Sequence, residues 1–244
     1  NNLKRLEKTF KICVKNKINI QITIDKVFYL NNHKMIDKII KKYQNKINYI
    51  TIHLTTTYDN LFSDDKDTKV FTYLLLDMIK NTKKIIGICI HPDHINSWKF
   101  LKKLKTKNNY LAIEVTDKKA KYGNKISHLK LLLKKNKFLK LVLDTSHIKE
   151  LTKTKILTFE NIYKKFKKKI VETQISDFGN FYNSKSIKTT HSLLYLKKDN
   201  KILNQIRTLK KNHKKMIFTI EGLIPFDKKE TKHILKEIEY LNKI

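Results

Sequence analysis

Glycine and proline are scarce, at four and two residues in a chain of 244. Neither is clustered, so nothing marks a flexible or proline-rich linker, and a single domain spanning residues 1–244 is expected. Cysteine occurs twice, at Cys13 and Cys89. That is too few for a disulfide framework and too widely spaced for a zinc motif, so both read as buried, reduced thiols of a cytoplasmic protein. No apolar run approaches the ~18 residues of a membrane span, which argues against a membrane role. The opening Asn1-Asn2-Leu3-Lys4-Arg5 lacks the apolar stretch of a signal peptide.

Acidic residues are also few, 22 against 54 basic ones, for a formal net charge of +32. Such a surface attracts nucleic acid. Yet arginine occurs only at Arg5 and Arg207. Arginine is the side chain that grips phosphate bidentately, and lysine acts as a point charge. The lysines keep company with abundant isoleucine and asparagine, as in an AT-rich genome, and runs such as Lys167-Lys168-Lys169 read as solvated helix faces. The charge therefore adds DNA as an alternative partner without deciding for it.

What the chain does have is alternation. Apolar stretches at 18–25, 49–54, 85–90, 110–115, 139–143, 170–176 and 216–220 read as strands. Helical periodicity marks 3–15, 33–44, 67–80, 95–104, 126–135, 156–168, 201–212 and 228–242. Repeated βα units imply a parallel sheet with right-handed crossovers. Eight units close a (β/α)8 TIM barrel, and a chain opening on a helix implies that the first strand is missing or irregular. A doubly wound open sheet is the alternative.

The stretch Leu141-Val142-Leu143-Asp144-Thr145-Ser146-His147 runs a buried strand into an acid, with a histidine three positions on in what reads as a loop. Asp144 could simply cap a following helix. Strand parity argues for more. If the apolar alternates face the helices, then His53, His91, Glu114, Asp144, Gln174 and Glu221 all face inward, one near the end of each of six strands. Carboxyl ends of parallel strands are where such folds place chemistry. Histidines, acids and an amide oxygen make a set of nitrogen and oxygen donors for a divalent metal, Mn²⁺, Mg²⁺ or Zn²⁺. Three acids on one axis would repel each other without a cation between them.

The pieces Ile52-His53, His91-Pro92, Ala112-Ile113-Glu114, Leu143-Asp144-Thr145-Ser146-His147, Ser176-Asp177, His191 and Ile220-Glu221 resemble the xylose isomerase-like barrel superfamily. That superfamily includes sugar-phosphate isomerases and epimerases and the apurinic endonucleases of the endonuclease IV class. The resemblance implies a metal held by Glu114, Asp144 and Glu221, with Gln174 standing where the family has a histidine. It implies catalytic carboxylates at Glu114 and Glu221, and His147, Asp177 and His191 near a small sugar or sugar-phosphate substrate. For the endonuclease branch it implies further ligands at His53, His91, His147 and His191, with Thr189 where an acid is expected. That cluster would be incomplete at two points, so a metal-dependent sugar isomerase or epimerase is expected first. An apurinic endonuclease stands second and a non-catalytic barrel third.

Overall fold

The computed structural model describes residues 2–55, 61–178, 191–222 and 230–244. These fall into two compact units, residues 1–113 and 114–244. In chain order the first unit contains α1 (Asn2–Lys15), β1 (Ile20–Asp25), α2 (Lys26–Tyr43), β2 (Ile50–Thr55), α3 (Lys66–Asn81), β3 (Ile85–Ile90) and α4 (Trp98–Lys103). Strand β4 (Tyr110–Glu114) closes it, and its last residue, Glu114, belongs to the second unit. The second unit contains α5 (Ile126–Lys135), β5 (Leu139–Asp144), α6 (Thr145–Lys153), α7 (Phe159–Phe166) and β6 (Ile170–Ile175). It ends with α8 (Leu194–Lys197), α9 (Asn200–Asn212), β7 (Ile217–Ile220) and α10 (Glu230–Asn242). Within each unit the strands pair in chain order and in parallel, β1-β2-β3-β4 in the first and β5-β6-β7 in the second. No described helix is long and apolar enough to cross a membrane.

Burial on both faces explains why these strands read as nearly unbroken apolar runs. Ile50, Ile52 and Leu54 of β2 and Leu141, Val142 and Leu143 of β5 are all fully buried. Each such side chain contributes about 2 kcal/mol by leaving water. In the second unit Ile175, Leu194, Ile202, Leu203, Ile206 and Leu241 form one apolar cluster that seats α8, α9 and α10 against β6.

Four helices depart from the periodicity, each for a local reason. Helix α2 begins at Lys26 rather than His33 because Asp25, the last residue of β1, caps it at once through the Phe28 N–H. The stretch expected as helix 95–104 is shortened to α4. Asn96 and Ser97 donate their N–H groups to the Phe62 carbonyl at 2.9 and 2.8 Å, which pulls them out of helical hydrogen bonding. His147, expected in a loop, lies in the first turn of α6, because Asp144 caps that helix as Asp25 caps α2. Lys155, at φ 57°, breaks the chain before Thr158 caps the shorter α7. The expected helix at 228–242 is described from Glu230 onward.

Candidate metal centre

Asp144 ends β5, and its two oxygens have different tasks. Oδ1 accepts from the N–H groups of Ser146 at 2.6 Å and His147 at 3.2 Å, satisfying the open end of α6. Oδ2 lies 3.4 Å from His147 Nε2 and 3.7 Å from His191 Nδ1. The cap starts the helix with no intervening loop, so the first turn carries His147 back beside the strand end that it follows. Glu114 Oε1 stands 3.4 Å from the same His147 nitrogen. Asp144, His147 and His191 each offer a ligand atom within 4.8 Å of the others.

Glu221 follows β7 and extends its pairing, donating its N–H to the Ile175 carbonyl at 3.0 Å. Burial, then the negative charges of Asp144 and Glu114, hold its carboxyl well above the usual range. Burial also disfavours a charged His147, but Asp144 and Glu114 outweigh it and lift that imidazole to about 9. Both shifts have one cause, negative charge gathered in a largely buried space, and a bound cation would offset the same charge. Carboxylates and imidazoles at such separations suit a divalent ion of the zinc or manganese kind, so this donor set fits a metal.

His191 is positioned with care. Its Nδ1 lies 3.1 Å from Ser146 Oγ and 2.9 Å from Ser176 Oγ, which fixes the ring and turns its other nitrogen away from them. Ser176 is locked in turn by Thr145, whose Oγ1 donates to the Ser176 carbonyl at 2.6 Å and accepts from its N–H at 3.0 Å. Next in the chain, Asp177 and Ser192 exchange backbone hydrogen bonds of 2.8 Å. The Asp177 carboxylate is held by Lys149, which also reaches Asp199 at 2.7 Å. Gly222 permits a close approach behind His191, since a Cβ there would fall 2.9 Å from the Leu193 backbone nitrogen.

The remaining expected residues fall on these frames. Gln174 is fully buried and pairs in register with Asp144 across β5 and β6, so the two project from the same face. In the first unit His53 and His91 come together with ring centroids 5.4 Å apart. Thr189 lies outside the described residues. Sequence reasoning missed Glu172, fully buried two residues before Gln174, whose Oε1 accepts from Thr219 Oγ1 at 2.6 Å. The alternation Glu172, Gln174, Ser176 was its signal: three polar side chains on one face of a buried strand. Ser146 and Lys149 were hidden because His147 was expected in a loop.

No family model matches the chain, and no curated protein matches it by sequence. Solved structures do. A xylose isomerase domain protein from Alicyclobacillus acidocaldarius subsp. acidocaldarius superposes with a TM-score of 0.66 at 11% identity, covering 98% of this chain and 92% of that one. D-Psicose 3-epimerase from Clostridium cellulolyticum H10, solved with D-tagatose, gives 0.60 at 11% identity over 98% and 93%. SacUVDE gives 0.57 at 14% identity over 100% and 87%. These neighbours are xylose isomerase-like TIM barrels, sugar epimerases and an endonuclease among them. Such low identities carry the fold and nothing finer, and that fold is an α/β TIM barrel with one strand missing or irregular.

Proposed function

We propose that the chain is a divalent-metal-dependent hydrolase of phosphodiesters, acting on DNA at abasic sites. The observation that carries this reading is the number of donors converging in the second unit. Glu114, Asp144, His147, His191 and Glu221 crowd one another there, whereas a single catalytic zinc takes about three protein ligands. The surplus suits a site with more than one ion, the arrangement used to displace at phosphorus. It moves the endonuclease, second in the sequence reading, ahead of the isomerase.

Divalent cations bound there would supply Lewis acidity and bring the ionisation of water toward neutral pH. The chain's own residues do the rest. Glu114, Asp144 and Glu221 provide the negative charge that holds the ions, and His147 must surrender its proton to become a ligand. Ser146 and Ser176 orient His191. The lysine-rich surface draws in the phosphate backbone without reading its sequence.

A sugar or sugar-phosphate epimerase is the second reading, favoured by Glu221, whose raised carboxyl could carry a proton to or from a carbon next to a carbonyl. One comparison tests both: protein loaded with Zn²⁺ or Mn²⁺ is given an abasic duplex and, separately, a keto sugar and its phosphate in deuterated water. The hydrolase reading expects strand cleavage at the abasic site that is abolished by chelator. Deuterium uptake into the sugar without cleavage would replace it with the epimerase.

A further inference from the structure

The first unit groups His91, already expected as a ligand, with Asp93 and His94, which neither the strand pattern nor the resemblance singles out. His91 is followed by Pro92-Asp93-His94, and residues 92–94 form a short 3₁₀ turn with proline in its first position. The His94 N–H closes the turn onto the His91 carbonyl at 3.1 Å. In a 3₁₀ turn residues three apart eclipse one another, so this turn stacks the two imidazoles. Their centroids lie 5.4 Å apart with the rings 22° from parallel. Asp93 joins them, and the three side chains offer ligand atoms all within 4.8 Å of one another.

Two further features separate this from a chance cluster. The turn is fixed from outside, because the buried Phe62 donates its N–H to the His94 carbonyl and accepts from Asn96 and Ser97. One carboxylate oxygen of Asp93, Oδ1, is shut off from water and meets no hydrogen-bond donor among the described residues. A sealed carboxylate oxygen without a donor is costly, and a cation would satisfy it. All three side chains are nonetheless partly exposed, so an ion has a way in.

We propose that His91, Asp93 and His94 bind a divalent transition-metal ion of the zinc type, using residues other than those gathered on Asp144. Two imidazole nitrogens and one carboxylate oxygen are a zinc-compatible set that leaves a position open to water or a ligand oxygen. Mg²⁺ and Ca²⁺, which prefer all-oxygen surroundings, are poor occupants.

The test uses the full chain, stripped with chelator and titrated with Co²⁺ as a coloured probe and with Zn²⁺. Metal content is counted after gel filtration. Asp93→Asn is isosteric and His94→Ala lies on a surface turn, and circular dichroism and Tm verify that each variant is folded. Each variant should lose one equivalent of metal or bind it at least about tenfold more weakly. The decisive arm places Asp93→Asn in an Asp144→Asn background, where it should remove an ion that Asp144→Asn alone leaves bound. If Asp93→Asn binds as much metal as wild type with the same affinity, in both backgrounds, the site does not exist. Loss of metal in Asp144→Asn with none in Asp93→Asn would refute this site and leave the proposed function standing. The reverse pattern would do the opposite.

Discussion

Replacing Asp144 separates its two tasks, because Oδ1 caps α6 while Oδ2 faces His147 and His191. Asn keeps an oxygen able to cap and loses the charge, whereas Ala loses both. The cap should therefore appear as a stability difference of about 1 kcal/mol between Asp144→Asn and Asp144→Ala, the usual worth of an N-cap. Metal-free Asp144→Asn should not be much less stable than wild type. It sacrifices the attraction to His147, but it also relieves Glu221 of a like charge. Affinity for Zn²⁺ should fall about 100-fold or more in both variants alike, roughly 3 kcal/mol, because a charged ligand has gone from a largely buried site. Denaturant unfolding of the metal-free proteins reads the first quantity, and calorimetric titration with Zn²⁺ reads the second. The reasoning fails if the Asn variant binds zinc like wild type, or if Asn and Ala destabilise the fold equally.

Three other substitutions make separate tests, two at the Asp144 frame and one in the first unit. Gln174→His supplies a nitrogen donor on the face shared with Asp144, so Zn²⁺ binding should tighten while Mg²⁺ binding does not; calorimetry with both ions checks it. Gly222→Ala pushes a Cβ against the Leu193 backbone, which should cost about 1–3 kcal/mol on thermal unfolding and weaken metal binding through displacement of His191. Burial opposes ionisation of Asp65, yet hydrogen bonds from Ser63 and Thr68 and the charge of Lys26 bring it down to about 2. Its folded pKa is lowered, so its stabilisation is present above pH 4 and fades as pH falls toward 2. Because the group is largely exposed, that is worth about 1 kcal/mol, and Asp65→Asn should remove that part of the acid dependence in urea titrations.

Much of this was legible in the residues because a parallel sheet leaves a strong mark. Strands buried on both faces give apolar runs, and a polar side chain surviving near the end of such a run, like Glu114 or Asp144, stands out. What stayed hidden depended on backbone hydrogen bonds that composition does not encode. Thr145-Ser146-His147 has no strong helix preference, and only the Asp144 cap and burial of the first turn make it helix. That one misreading concealed how His147 returns to the strand end and why Ser146 meets His191. Asp144 was weighed as either a helix cap or a site residue, and its two oxygens let it cap the helix and still face the histidines. Asp93 and His94 escaped notice because their significance lies in a 3₁₀ turn pinned by Phe62, some thirty residues earlier in the chain.

Metal analysis of the full chain, purified without chelator, tests the central claim most directly: that the residues gathered on Asp144 hold divalent cations. Inductively coupled plasma measurement should find tightly held zinc or manganese in the wild type. Asp144→Asn should carry at least one equivalent less, with Glu221→Gln changed in the same direction. A folded wild-type protein free of transition metal even after incubation with Zn²⁺ and Mn²⁺, or an Asp144→Asn variant with undiminished content, would contradict it.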